Sequence, residues 1–305
     1  MQWRGVMPAM TTPFTEGLEV DWAFLERHAR WLQANGCAGI VCLGSLGEAA
    51  TLGFEEKLRI VRGAVAAVAS SIPVVGAVSA LSTSEAVCIA RALADAGAQG
   101  LMILPPYVYR GDWRETKAHI ASVLRATPLP AMLYNNPVAY GTDFVPEQVY
   151  ELATEFENLA AVKESSTDVR RVTAIRALTG DRLAIFVGVD DAIVEGIEAG
   201  AVGWIAGLVN AFPRESVELF NLAISGNKEL AFDLYRWFLP LLRMDTVPKF
   251  VQLIKLVQEE LGVGSARVRP PRLQIESREL AEVRGLIADA LRHRPESMPG
   301  SSSLL

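Results

Sequence analysis

The chain has 305 residues, of which 50% are hydrophobic and 21% charged, with a mean hydropathy of +0.24. That length permits two average domains or one large α/β barrel with an extension, and the core can be large enough to need no covalent staples. The net charge of −6 and pI near 5.3, without a basic cluster, exclude nucleic acid as the main partner but leave room for a small anionic substrate.

Three cysteines, Cys37, Cys42 and Cys88, form no CxxC pair and lie in apolar segments, so they are expected to be buried, reduced thiols of a cytoplasmic protein. His28, His119 and His293 fall in helix-like segments without an HExxH pattern, and no metal site is expected. No apolar stretch reaches membrane-spanning length, and the first residues lack a signal-peptide apolar region.

Short apolar runs alternate with longer amphipathic ones. The runs Gly5–Met10, Gly39–Leu43, Pro73–Val78, Gly100–Leu104, Pro130–Tyr134, Ala160–Lys163, Ala184–Gly188 and Val202–Ala206 are predicted strands. Between them, helical patterns cover Trp22–Ala34, Glu55–Ala69, Ser84–Ala96 and Asp112–Ala126. Strand–helix alternation implies a parallel sheet with right-handed crossovers, and eight units imply a (β/α)8 barrel. The competing open sheet would show a GxGxxG turn after its first strand, where Met10-Thr-Thr-Pro-Phe14 stands instead.

After Val209 the alternation stops. Helices are predicted at Glu215–Ile224, Lys228–Leu242, Pro248–Leu261 and Ser277–Leu291, with Pro248 in a first helical turn and Arg269-Pro-Pro-Arg272 as a stiff connector. The division expected is a barrel over 1–225, a small helical appendix over 226–294 and a disordered tail over 295–305 rich in Ser, Pro and Gly.

Active sites of such barrels sit at the C-terminal ends of the strands. Lys163 ends the run Leu159-Ala-Ala-Val-Lys163, which places its amine at the barrel mouth with an apolar stem. Desolvation disfavours an ammonium, so such a lysine can lose its proton near neutrality and attack carbonyls. The bland alternative is a lysine that snorkels into solvent. Gly44-Ser45-Leu46-Gly47-Glu48 is a glycine-bracketed turn whose N–H groups can form a nest for a carboxylate, or simply an ordinary strand–helix turn. Tyr134 sits on the next strand as a proton-transferring phenol or a rim-packing aromatic. Asp190 and Asp191 follow strand seven.

Together, Gly44-Ser-Leu-Gly-Glu48, Tyr134-Asn-Asn-Pro137, Val162-Lys-Glu-Ser165 and Val187-Gly-Val-Asp190 resemble the dihydrodipicolinate synthase / N-acetylneuraminate lyase superfamily of class I, Schiff-base-forming lyases, in order and spacing over essentially the whole chain. The resemblance implies a homotetramer, a dimer of dimers, built from (β/α)8 barrels. It implies Lys163 as the Schiff-base lysine, Tyr134 as the proton-relay phenol, Ser45 as its helper, and the Ser45 and Leu46 N–H groups as the carboxylate site. Gly188 and Ile205 would line the pocket. No cofactor is implied, because the covalent lysine imine does the electronic work.

Two departures bear on substrate. The family turn carries two hydroxyl residues, and here the second is Leu46. Dihydrodipicolinate synthases place an arginine after the Tyr-Asn-x-Pro motif, and here Ala139 stands there. Their cross-dimer tyrosine aligns with Val108, flanked by Tyr107 and Tyr109, so that a one-residue shift restores a tyrosine there. Segments such as Lys163–Arg171, Gly203–Gly207, Asn210–Arg214 and Arg269–Arg272 are similar to 1-pyrroline-4-hydroxy-2-carboxylate deaminases of hydroxyproline breakdown. The expected function is therefore a Schiff-base lyase of a small 2-oxo acid or cyclic imine, with dehydration and deamination as the first reading. The alternatives are a pyruvate-dependent aldolase such as 4-hydroxy-tetrahydrodipicolinate synthase, and a non-catalytic 2-oxo-acid-binding barrel.

Overall fold

A computed structural model describes residues 1–295. The expected tail lies outside the described residues, Pro295 excepted. The chain runs β1 (Gly5–Pro8), α1 (Trp22–Ala34), β2 (Ile40–Cys42), α2 (Phe54–Val68), β3 (Val74–Val78), α3 (Thr83–Asp95), β4 (Gly100–Ile103), α4 (Trp113–Leu124) and β5 (Ala131–Asn135). It continues through α5 (Pro137–Tyr140), α6 (Pro146–Glu155), β6 (Leu159–Glu164), α7 (Arg170–Thr179), β7 (Ala184–Val187), α8 (Ile193–Glu198), β8 (Gly203–Ala206) and α9 (Pro213–Ile224). Three further helices follow, α10 (Lys228–Leu242), α11 (Phe250–Glu260) and α12 (Ser277–Arg292).

All strand pairs are parallel, in the order β1-β8-β7-β6-β5-β4-β3-β2. The Ala9↔Val41 bridge and the bonds from Ala38 N to Val6 O (2.8 Å) and Met10 N to Val41 O (2.9 Å) join β1 to β2. This is the expected (β/α)8 barrel. Its strands are apolar on both faces because helices cover one side and the barrel core the other. Residues in register share a face, so Lys163, Phe186 and Gly203 form one row across β6, β7 and β8. A Cβ on Gly203 would overlap the Phe186 ring, so glycine makes room for that fully buried phenylalanine. Truncating Phe186 to alanine would cost about 3–5 kcal/mol by the usual cavity penalty.

Local chemistry sets the helix starts. Asp21 and Ser82 accept the N–H of Phe24 (2.9 Å) and Glu85 (3.2 Å), and Asp112 with Glu115 forms a reciprocal capping box. Two expectations need correction. Cys37 and Cys42 are buried, but Cys88 is exposed, because the buried stripe of α3 is Ala86, Ile89, Ala90 and Leu93 and position 88 falls off it. Pro248 is not in a first helical turn, since α11 begins at Phe250 after the Lys249 cap.

The C-terminal helices matter for the barrel mouth. A single 3-10 turn, Arg243–Thr246, follows α10 and packs against the turn Asp190–Ala192 beyond β7. Lys255 of α11 reaches back to Glu48, and Arg269 of the following connector pairs with Glu56 (2.7 Å). The Arg269-Pro-Pro-Arg272 stretch is thus an anchor as well as a connector. No described helix is long and apolar enough to cross a membrane.

Candidate active site

β6 carries Lys163 to the mouth, where it is 6% exposed. Tyr134 of β5 is its register partner, and the Lys163 Nζ lies 4.1 Å from the centre of the Tyr134 ring. Burial lowers the lysine's affinity for a proton, against the opposing charges of Asp245, Tyr140 and Asp190. The amine is therefore easier to deprotonate than an ordinary lysine, and the snorkelling alternative does not hold. Burial pushes the Tyr134 phenol up to about 12, against a hydrogen bond from Asn136 Nδ2 (3.0 Å), so the phenol is neutral and able to donate.

The Gly44–Glu48 turn follows β2. Among the described residues, the N–H groups of Ser45 and Leu46 donate to no protein acceptor, while the Glu48 N–H closes the turn on Ser45 O (3.1 Å). Two unsatisfied donors side by side suit an anion. Glu48 holds the turn from behind. Its backbone is left-handed (φ 56°), and its buried carboxylate accepts from Lys255 Nζ (2.6 Å) and Arg269 N (3.0 Å). The Glu48 side chain caps no residue of the following 3-10 turn and acts at long range instead. Leu46 is buried and presents no hydroxyl.

The Ser45 hydroxyl bonds to the hydroxyl of Tyr140, a residue of α5 that sequence reasoning did not single out. The Tyr140 ring meets Tyr134 edge-on at 5.8 Å. Ser45, Tyr140 and Tyr134 thus form a cluster of hydroxyl-bearing side chains beside Lys163, all from one chain. Tyr107 leans on Tyr140 at 6.2 Å, Tyr109 bonds Glu115 (3.0 Å), and Val108 is 75% exposed.

Gly188 ends β7. A Cβ there would overlap Ser165 Oγ and come within 2.6 Å of Lys163 Cε, so only glycine leaves space for the lysine stem. Ser165 Oγ is itself buried and lies beside the Tyr134 phenol. Ile205 is buried on β8, on the same pleat face as Gly203. Beyond β7 and β8, Asp190 accepts from Trp204 Nε1 (3.0 Å), Gly207 N (3.1 Å) and Leu208 N (2.8 Å), while burial lifts it to about 6. Asp245, on the turn after α10, also faces Lys163.

At the outer rim, Ala139 lies on α5. The Arg110 guanidinium, from the loop after β4, nevertheless lies over Gly141, two residues further on. It is exposed and makes no ion pair among the described residues. Nothing in the strand pattern signalled Tyr140 or Arg110, because they reach the rim from a four-residue helix and a loop. Among the described residues, no group of three or more His, Cys, Asp and Glu side chains could hold a metal ion.

A barrel with a buried lysine at its mouth, a phenol beside it and a free N–H nest defines a protein equipped for imine chemistry on a small acid. Residues 2–290 match the Dihydrodipicolinate synthetase family, and the chain belongs to it. The 4-hydroxy-tetrahydrodipicolinate synthase of Methanothrix thermoacetophila is 32% identical over 285 residues, covering 93% of this chain and 96% of that one. The synthase structure from the methanotroph Methylacidiphilum fumariolicum SolV superposes with a TM-score of 0.92 at 26% identity, over 95% of this chain and 97% of that one. A chloride-inhibited dihydrodipicolinate synthase from Acinetobacter baumannii, complexed with pyruvate, gives 0.89 at 27% identity, over 94% and 98%. The chain is a class I, Schiff-base-type lyase.

Proposed function

We propose that Lys163 forms an imine with the C2 carbonyl of a small 2-oxo acid, pyruvate or a close analogue. The observation that carries this is the buried Lys163 amine packed 4.1 Å from the Tyr134 ring, within a site that also offers the unused N–H groups of Ser45 and Leu46. The nest holds the carboxylate, and the Tyr134–Ser45–Tyr140 cluster moves protons to and from the carbinolamine and C3. The imine acts as electron sink, so no further cofactor is required.

The first reading of the second half-reaction is condensation with an aldehyde, as in 4-hydroxy-tetrahydrodipicolinate synthase, the name carried by the curated relatives. Arg110 supports it, because an unpaired guanidinium over Gly141 stands ready for the carboxylate of aspartate semialdehyde despite Ala139. The order of the sequence-based readings is thereby reversed. Dehydration and deamination of a 1-pyrroline-4-hydroxy-2-carboxylate remains the second reading on one observation, the alanine at 139 itself. Membership of an enzyme family removes the support for a non-catalytic barrel. A tetramer is the assembly that fits this reading.

Incubation with pyruvate and borohydride, then digestion, should give a reduced adduct on Lys163 and none in Lys163→Ala. Turnover of that variant should fall on the order of a thousandfold or more. Absence of an adduct in the wild type would defeat the proposal. Assays with pyruvate plus aspartate semialdehyde, and with the hydroxylated pyrroline carboxylate, decide between the two second steps.

A further inference from the structure

The Gly44–Glu48 turn is held from the far end of the chain. Glu48 Oε1 accepts from Lys255 Nζ (2.6 Å) and Glu48 Oε2 from Arg269 N (3.0 Å), and the Glu48 and Lys255 side chains are both buried. Lys255 Nζ also donates to Arg267 O (2.6 Å). The buried Phe14 ring serves both cations, with its centre 4.3 Å from Lys255 Nζ and 4.6 Å from the Arg269 guanidinium carbon. Two residues before Phe14, Thr12 Oγ1 donates to Gly47 O (2.7 Å). The turn is therefore clamped at two successive residues, at Gly47 by the segment after β1 and at Glu48 by α11 and its connector. Glu48 itself holds a left-handed φ of 56°. A residue with a Cβ keeps that conformation where its surroundings fix it. A buried ion pair adds little net stability, because desolvation offsets the attraction, and its better use is to specify one geometry. The geometry specified here is that of the turn whose Ser45 and Leu46 N–H groups stand free and whose Ser45 hydroxyl meets Tyr140. Releasing Glu48 would let the peptide planes before it rotate and the two N–H groups diverge.

We infer that Lys255 and Glu48 are positioning residues of the carboxylate site: through this pair the C-terminal helices aim the Ser45 and Leu46 N–H groups and so set the affinity for the carboxylate of the 2-oxo acid. The inference rests on the imine and nest reading above, but not on the choice of second step. Neither residue acts on the reacting atoms. Lys163 and Tyr134 are carried by β6 and β5, outside the clamp. The pair therefore governs capture of the acid rather than reactivity of the amine.

The test is Lys255→Met, which keeps an unbranched side chain and removes the charge. Borohydride trapping is followed with pyruvate and with acetone, which keeps the ketone and lacks the carboxylate. The pyruvate concentration for half-maximal trapping should rise about tenfold or more, as expected for one lost hydrogen bond to a charged group. The limiting trapping rate at saturating pyruvate, and the second-order rate with acetone, should stay within about threefold of wild type. A purely structural role would slow both ketones alike or leave both unchanged, and either result overturns the inference. The double variant Glu48→Gln, Lys255→Met removes both buried charges together, so it carries the test if the single variant does not fold. It should show the same weakened pyruvate affinity, and half-saturation at the wild-type concentration overturns the inference. Trapping that fails to saturate with pyruvate in the wild type would sink the nest reading, and absence of any adduct there would sink the imine reading. Both of those failures appear in the wild type, whereas failure of this inference appears in the variants alone.

Discussion

Replacing Gly188 by alanine should displace Lys163 without touching its chemistry. The backbone at 188 is tied to Glu164 O (2.9 Å), so it cannot swing away from β6. Its φ lies outside the left-handed region, and the added methyl is therefore the whole perturbation. That methyl would lie 2.6 Å from Lys163 Cε and 2.8 Å from Lys163 Cγ. Carbon atoms settle at about 3.5–4.0 Å, so the lysine stem must move by roughly 1 Å. A misplacement of ~1 Å in a reacting group costs on the order of a hundredfold. Overpacking offers a separate route to the magnitude: about 1–3 kcal/mol, equivalent to between five- and 150-fold at 1.36 kcal/mol per decade. The two routes agree. The assay is the rate of borohydride-trapped adduct formation with pyruvate, read beside the melting temperature. We expect about a hundredfold slower trapping and a melting point lowered by a few degrees. Trapping at the wild-type rate would show that Gly188 does not shape the lysine's position and would refute the steric reasoning.

Two further outcomes follow from the same geometry. Tyr140→Phe removes the hydroxyl that partners Ser45, and should slow deuterium exchange at the pyruvate methyl about tenfold, the kinetic equivalent of one ~1.4 kcal/mol hydrogen bond. Unchanged exchange would remove Tyr140 from the proton path. Lys255→Met leaves the Glu48 carboxylate buried without its 2.6 Å partner and should cost about 3–5 kcal/mol in denaturant unfolding, whereas the double variant with Glu48→Gln should recover most of it. Equal stabilities of the single and double variants would show that the pair does not hold the nest turn.

The sequence by itself determined the barrel, the rim and the lysine. Short continuous apolar runs broken by amphipathic helices reveal strands and crossovers because burial on both faces of a parallel strand leaves a local trace. Lys163 and Tyr134 could be placed on neighbouring strands because strand order follows chain order in this topology. Tertiary structure alone decided which of the remaining groups meet them. Tyr140 reaches Ser45 from a four-residue helix, Arg110 crosses from the loop after β4, and Asp245 arrives from a turn in the C-terminal helices. No periodicity encodes such arrivals, since loop side chains are positioned by what they pack against rather than by a repeat. The same holds for Glu48, whose partner Lys255 lies 207 residues away, and for Cys88, whose exposure was set by which stripe of α3 faced the barrel. The surroundings of Asp190 were also beyond the sequence, since its three donors come from Trp204 and the backbone beyond β8.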